Sequence, residues 1–504
     1  MKRSLSQSLV ITFLGGVGLL TATSYPVAAQ ESVSISDTAI VIQGYEFGPA
    51  VPKIVLTLDH AVSSVSKEGL KVETAGVNRQ VQKVYLSDKD GDKIDKSSRY
   101  ITIQMPVTFN TDTNAAEATP FSYNMETYQN NWVTSYPVSV YNLQVTSNKK
   151  TVALSSTRDA ISNRRSKQLE VFNDSSSYSG TYTNPLTQDD EELRLNYAAY
   201  EPKKLVSGAK NPLIIWLHGQ GEGGTDTDIT LLGNEVTALT SQSIQSHFKS
   251  GKQSGAYVLA VQAPTYWMDE GDGTNGAGAG KSRYTEILMD TIKDYVAKHP
   301  DVDSNRIYLT GGSNGGYMTL NLAIQNPGYF AALVPQAAAY SYYQYERNAD
   351  GTYVTVPSDT SLSGAAFVPT DQVNFDQEQI AALKDTPIWF IHASNDSVVD
   401  PSKYALPVYK ALVDSGASNK WMSYYESVEG SDMKGVSYMG HWSWLYFFND
   451  RVSGVQNTDT VKTSSGLAGF SPDNKNQGGR SQVVVGDTNY HNIFDWMNAQ
   501  EKKE

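Results

Sequence analysis

The sequence predicts an α/β protein, a mostly parallel sheet flanked by helices, preceded by an all-β module. Three observations carry that prediction. Residues 35–151 run as short apolar or alternating stretches cut by turn residues, the pattern of paired strands. Residues 192–504 change to strand, turn, helix, strand, with continuous apolar runs of the kind that strands buried on both faces require. Between them, residues 152–191 have the polar composition of an exposed connector.

The chain has 504 residues, 53 acidic against 40 basic side chains, a formal charge of −13 and no Cys. At roughly 100–200 residues per domain, such a length holds more than one domain and ample core. Zero Cys excludes disulfides, thiol nucleophiles, zinc–thiolate sites and iron–sulfur clusters. The acidic balance argues against a nucleic-acid partner and against an anionic membrane surface.

The first segment, 1–29, reads as a secretory signal. Lys2 and Arg3 supply a positive start, residues 9–20 are mostly apolar, and Val27-Ala28-Ala29 has the small-residue pattern of a cleavage site. The apolar run is shorter than the ~20 residues that span a bilayer. The expectation is an exported chain with no membrane span after cleavage.

Residues 30–151 follow as a β-sandwich of immunoglobulin-like size, with strands expected at 38–42, 53–58, 80–86, 100–105 and 136–145. Within it, the run from Asp88 to Asp95 resembles a calcium loop, but its Gly91 falls early for that spacing, so a polar hairpin turn is the preferred reading. No metal site is expected elsewhere.

In residues 192–504 the strand candidates are 213–217, 256–261, 306–310, 331–334, 387–391 and 420–425. Leu288, Ile292, Tyr295 and Val296 fall on one helical face, as do Leu320, Ala323 and Ile324. Two stretches look like insertions, a Tyr-rich one at 340–371 and a polar, Gly/Asn-rich one at 451–489, and both are expected to border the cleft.

The chemistry is announced at 306–325. An apolar strand runs into Gly311-Gly312-Ser313-Asn314-Gly315 and on into a helix. Glycines two before and two after a serine permit the strained strand-to-helix turn that exposes a nucleophilic hydroxyl at the carboxyl edge of a sheet. Such a serine needs a carboxylate and then a histidine, in that chain order. Only His392, His441 and His491 follow Ser313. His392 precedes the carboxylate loop and His491 opens the last helix, whereas His441 lies in a glycine-preceded loop after the last strand and is the candidate base. Asp396, in the loop straight after strand 387–391, is the candidate acid. Asp400 before Pro401 is better explained as a helix N-cap. The oxyanion would be met by the backbone N–H of Asn314 and by that of Gln220, in the Gly-rich loop after strand 213–217. Trp267 and Trp442 are candidate substrate-binding residues, as aromatic walls of the cleft.

Residues ~192–504 resemble the secreted esterase branch of the α/β-hydrolases that groups polyhydroxybutyrate-depolymerase-like, feruloyl-esterase-like and predicted-peptidase (prolyl-oligopeptidase-like) sequences. The segments that carry the resemblance are 217–224, the 311–316 elbow, the His392 to Asp396 loop and Gly440-His441-Trp442. Some members of that branch carry an N-terminal immunoglobulin-like domain, and residues 44–49 with 53–59 look like the start of one. The resemblance implies Ser313 as nucleophile, His441 as base and Asp396 as acid, with Gln220 and Asn314 at the oxyanion hole.

The reading that results is a secreted serine hydrolase acting on carboxylic esters, small or polymer-linked, and needing no cofactor. Two alternatives stand beside it: a prolyl-oligopeptidase-like serine peptidase, and a surface binding or adhesion protein with a vestigial hydrolase domain. For the N-terminal module, architecture alone leaves open covering the cleft, homo-oligomer formation and carbohydrate binding.

Overall fold

The computed structural model describes residues 32–358 and 365–502. The segment 1–29, read as a signal, lies outside the described residues. From residue 35 the chain builds two five-stranded sheets packed face to face. One is ordered Arg164–Arg165, Ile35–Tyr45, Gly48–Val62, Ser98–Gln104, Lys83–Ser87. The other holds Lys150–Asp159, Pro137–Ser147, Lys71–Thr74 and Val77–Arg79, with Ser64–Ser66 also paired to Pro137–Ser147. Alternation in these strands turns Ile40, Ile54, Leu56, Ile101, Ile103, Val138 and Val140 into a shared core.

The Asp88 to Asp95 run is the turn between two of these strands. The Asp88 carboxylate is taken up by its own backbone, accepting from the N–H groups of Asp90 and Asp92 at 2.9 Å each.

The expected connector at 152–191 is a correction. Residues up to Asp159 complete the strand Lys150–Asp159, and Arg164–Arg165 pair in parallel with Ile35–Tyr45. Asp174–Thr183 is an edge strand of the eight-stranded sheet of the larger domain, paired antiparallel to Asp190–Tyr200. Edge strands carry a solvated face and an open edge, so their Ser- and Thr-rich composition imitates a linker.

The sheet of the larger domain has eight strands. In chain order they are Asp174–Thr183, Asp190–Tyr200, Asn211–Leu217, Tyr257–Gln262, Val302–Gly312, Ala332–Gln336, Ile388–Ala393 and Lys420–Tyr425, and they lie side by side as 1-2-4-3-5-6-7-8. The first two run antiparallel to their neighbours and the other six are parallel. The order therefore reverses beside the third strand, the place where an open sheet leaves a crevice at its carboxyl ends. Both faces are covered: Thr285–Lys298 and Asn314–Gln325 supply Leu288, Ile292, Met318 and Leu322 to one core, and Ile493–Asn498 supplies Phe494 and Trp496 to the other.

The two insertions divide their tasks. The Tyr-rich one packs on the glycine-rich loop 269–283, where Ser341 N–H donates to Gly278 O at 2.9 Å and Arg347 pairs with Glu270 at 2.7 Å. The one at 451–489 does not border the cleft in this way. It covers the outer edge of the last strand, with Gln456 N–H donating to Met422 O and Tyr424 N–H to Gly478 O, each at 2.8 Å. An unpaired edge strand invites association with another chain, and this segment saturates it.

The domains also share apolar seams. Ile229 and Leu232 of helix Thr227–Gly233 join the core of the sandwich, while Phe47 and Ala50 of the sandwich join the core of the larger domain.

Candidate active site

Ser313 sits between the fifth strand and the helix Asn314–Gln325 with φ 56° and ψ −113°. A non-glycine residue holds this conformation only where its surroundings over-determine it. Here Ser313 N–H donates to Gln336 O at 2.8 Å, and its carbonyl accepts from Tyr317 and Ala339 N–H at 3.0 and 3.1 Å. The flanking glycine is required by space: a Cβ on Gly315 would sit on the Leu217 carbonyl oxygen. Ser313 keeps 9% of its surface exposed, at the carboxyl edge of the sheet.

Asp396 and His441 come together at that edge. His441 Nδ1 lies 2.8 Å from Asp396 Oδ2, and because a carboxylate only accepts, Nδ1 carries the proton and Nε2 the lone pair. Asp396 is anchored on its other oxygen, where Oδ1 accepts from Val398 and Val399 N–H at 2.9 Å each. Burial alone would push the Asp396 carboxyl up. The His441 ring beside it, with hydrogen bonds from His392 and His441, instead holds it well below the usual carboxylate range.

His392 is a functional neighbour that chain order conceals. It is fully buried, and its Nε2–H is shared between Asp396 Oδ2 and Val399 O, 3.0 Å each, while its Nδ1 is buried without a partner. A motif with two histidines around one aspartate is the only signal for it. Trp444 is buried beside this pair. Its ring stands edge-on to His441, centroids 5.2 Å apart at 82°, and lies 3.0 Å from where a Cβ on Gly312 would be. One indole thus touches both the elbow and the His441 ring.

Asn314, a candidate for the oxyanion hole, is the first residue of its helix, so its N–H belongs to the first turn, whose donors have no intrahelical acceptor. Its side chain ties down the loop opposite, accepting from Met268 N–H at 3.1 Å and donating to Asn275 Oδ1 at 2.6 Å. Gln220 lies in a short helical turn, Gln220–Glu222. That turn is braced by His218, fully buried, which donates from Nδ1 to Gly219 O at 2.6 Å and accepts at Nε2 from Ala263 N–H at 3.0 Å. Burial, partly offset by the bond to Gly219, lowers its pKa to about 4, so it is neutral at pH 7.

The next brace comes from the other domain. The hairpin Phe121–Asn124/Gln129–Trp132 leans over the Gln220 loop: Asn130 Nδ2 donates to Glu222 Oε1 at 3.4 Å, Gln129 to Thr265 O at 3.3 Å, and Trp132 Nε1 to Asp226 Oδ2 at 2.8 Å. Burial raises Glu222 to about 7 against the opposing hydrogen bonds from Gly219 and Asn130. Nothing local in residues 121–132 signals this contact.

Trp267 is corrected. It is fully buried, tilted against His218 at 5.1 Å and edge-on to Tyr284 at 6.1 Å, so it packs under the Gln220 loop and forms no cleft wall. An aromatic residue after a strand reads the same in sequence whether it turns inward or outward. Trp442 stays partly exposed, next to His441 and 5.8 Å from Tyr438.

Comparison with known proteins agrees with this layout. Residues 37–154 match the esterase Ig-like N-terminal domain family, and residues 280–448 match the prolyl oligopeptidase family. A solved thermostable esterase superposes with a TM-score of 0.58 at 19% identity, over 83% of this chain and 97% of that one, a likeness of fold. The uncharacterized peptidase YuxL of Bacillus subtilis strain 168 is 26% identical over 166 residues, 32% of this chain. The match spans 24% of that relative's length. The chain is an immunoglobulin-like domain followed by an α/β-hydrolase domain.

Proposed function

We propose that the protein is a serine hydrolase that cleaves carboxylic esters through an acyl-enzyme. The single observation that carries the reading is the His441–Asp396 hydrogen bond of 2.8 Å at the sheet edge where Ser313 stands in a strained elbow. In the proposed reaction Ser313 Oγ attacks the ester carbonyl while His441 Nε2 takes its proton. The tetrahedral oxyanion is met by backbone N–H groups of Asn314 and Gln220. It collapses by breaking the bond to the alcohol oxygen, which receives the proton from His441. Water then repeats the sequence and releases the acid. Asp396 keeps the imidazole in the tautomer that accepts at Nε2 and stabilises the imidazolium. Trp442 is proposed to line the substrate side of the base.

Ser313→Ala should lower turnover of a short-chain nitrophenyl ester by about 10⁴-fold or more with an unchanged melting temperature. Full retained activity would remove Ser313 as nucleophile. A second reading, peptide-bond cleavage, is favoured by the match of residues 280–448 to the prolyl oligopeptidase family. Acyl esters and peptide amides assayed side by side separate the two, and a clear preference for amides would overturn the ester reading.

Export is part of the proposal, supported by the basic, apolar and small-residue order of residues 1–29. Sequencing the mature N-terminus from culture medium tests it: a start at or near Gln30 is expected, and retained Met1 would refute it.

A further inference from the structure

The hairpin that joins the first two strands of the sandwich ends in Tyr45-Glu46-Phe47-Gly48, and its tip is inserted into the hydrolase domain. Glu46 is a charged residue on a turn, yet only 2% of its surface is exposed. Its carboxylate is met by hydrogen-bond donors of the other domain. Oε1 accepts from Ser431 N–H and Ser431 Oγ, each at 2.8 Å, and Oε2 from Asp432 N–H at 2.9 Å. Asn449 Nδ2 donates to Oε1 as well. The backbone reciprocates, with Glu46 N–H donating to Asp432 Oδ2 at 2.9 Å. Truncating the side chain would take the acceptor from all of these donors at once.

The partners are not scattered. Ser431 and Asp432 stand at the start of the segment that carries His441, and Asn449 stands at its end. Between them the chain has little regular structure to hold it: the two-residue strand Ser437–Tyr438, the short helical turn Gly440–Trp442 and the four-residue helix Leu445–Phe448. The neighbouring apolar contacts act on the same segment. Phe47 lies 6.2 Å from Tyr438, Phe109 meets Tyr438 edge-on at 5.0 Å, and Tyr438 lies 5.8 Å from Trp442, the neighbour of His441.

We propose that Glu46 is a positioning residue for the general base: by fixing both ends of segment 431–449 from the other domain, it sets the His441 ring against Asp396. The inference rests on the reading of His441 as base given above. The acids that face Glu46 across the contact are Asp432, raised by burial against the opposing hydrogen bond from Glu46 N–H, and Glu235, pushed well up by burial and then by Asp432 and Glu46. The contact therefore gathers three carboxyl groups, of which Glu46 collects the hydrogen-bond donors.

The test uses the full chain with Glu46→Gln and Glu46→Ala, followed by kcat, KM and the pH profile on a nitrophenyl acetate ester. Melting temperature and fluorophosphonate labelling rate are measured in parallel. The expected result is a fall in kcat of about 10- to 100-fold, the scale of a small misplacement of a reacting group. KM should stay within about twofold, because substrate binding is not what Glu46 supports. The acid limb of the pH profile should change with it, because the ring is no longer set against Asp396. Glu46→Gln, which keeps one acceptor oxygen, should lose less than Glu46→Ala and decides the matter if the alanine variant does not fold. Unchanged kcat and acid limb in a folded variant would overturn the proposal, as would a kcat loss that only follows the folded fraction. Ser313→Ala runs alongside: if it stays active, the base assignment itself fails, and that failure is distinct from an inert Glu46.

Discussion

Ser313 and His441 stand at one edge of one sheet, but different kinds of structure hold them. Ser313 is fixed within a single unbroken run, strand Val302–Gly312 into helix Asn314–Gln325, and its conformation is secured by glycines and backbone bonds of adjacent strands. His441 sits in a short turn whose anchors come from elsewhere: Asp396 after the seventh strand, Trp444 beside the elbow, and Glu46 in another domain. A nucleophile in a strained turn needs rigidity that local sequence can encode. A base that must stay aimed over a reaction cycle can be set by distant contacts, and is then open to disturbance from them.

The most severe way to break the comparison is Gly315→Ala. A Cβ there meets the Leu217 carbonyl, so the elbow and the third strand cannot keep their places. Stability should fall by about 3–5 kcal/mol in denaturant titration, with labelling by a fluorophosphonate lost at the same time. The equivalent change on the other side, Gly440→Ala, presses on the Asn395 backbone and should cut turnover more than it cuts the melting temperature. Equal losses in both measures for the two variants would erase the distinction.

Asp396→Asn comes next. It keeps the shape but favours the wrong imidazole tautomer, and turnover should drop by about 10⁴-fold while urea stability changes little. A smaller effect is expected at His392. His392→Phe removes the Nε2–H that holds Asp396 and should cost about 10- to 100-fold in kcat, with His392→Gln recovering part of it. Indistinguishable Phe and Gln variants would mean that His392 is packing only.

The mildest test lies away from the cleft, where His247 joins helix Gln242–His247 to the last helix through Asp495 at 2.8 Å and to Asp450 at 3.1 Å. The bond to Asp450, opposed by burial and aided by Asp495, raises its pKa to about 9. A raised pKa means stability present in full below the unfolded value near 6.5 and lost as pH climbs through about 9. Unfolding free energy should therefore decline by about 1–2 kcal/mol across that window, after solvent screening, and His247→Gln should flatten the decline without touching kcat.

Much of this was legible in residues that are neighbours in the chain. The elbow is consecutive, Asp396 follows its strand directly, and with seven His in all the candidate base, His441, is reached by order along the chain. The six buried strands announce themselves because apolar runs leave few other homes. What stayed hidden has one physical cause, contact between residues with no fixed spacing. Asn130 and Glu222 are 92 positions apart and Glu46 and Ser431 are 385 apart, so no periodicity can link them. Trp267 and the 152–191 stretch misled for a second reason: composition reports polarity and size, while the direction a ring turns and the pairing of an edge strand are settled by neighbours.

The separation of Glu46 from Ser431 also has a meaning in time. A ribosome adding roughly 5–20 residues per second takes roughly 20–80 s to cover that distance. Through that interval the strands Ile35–Tyr45 and Gly48–Val62 can pair while their tip presents an acid and the Phe47 ring with nothing to receive them. A nascent chain halted before Ser431 carries the elbow serine but neither the base nor the surface that seats Glu46. The contact then joins a late segment of the polypeptide to one of its earliest, and cannot form until most of the chain has been made.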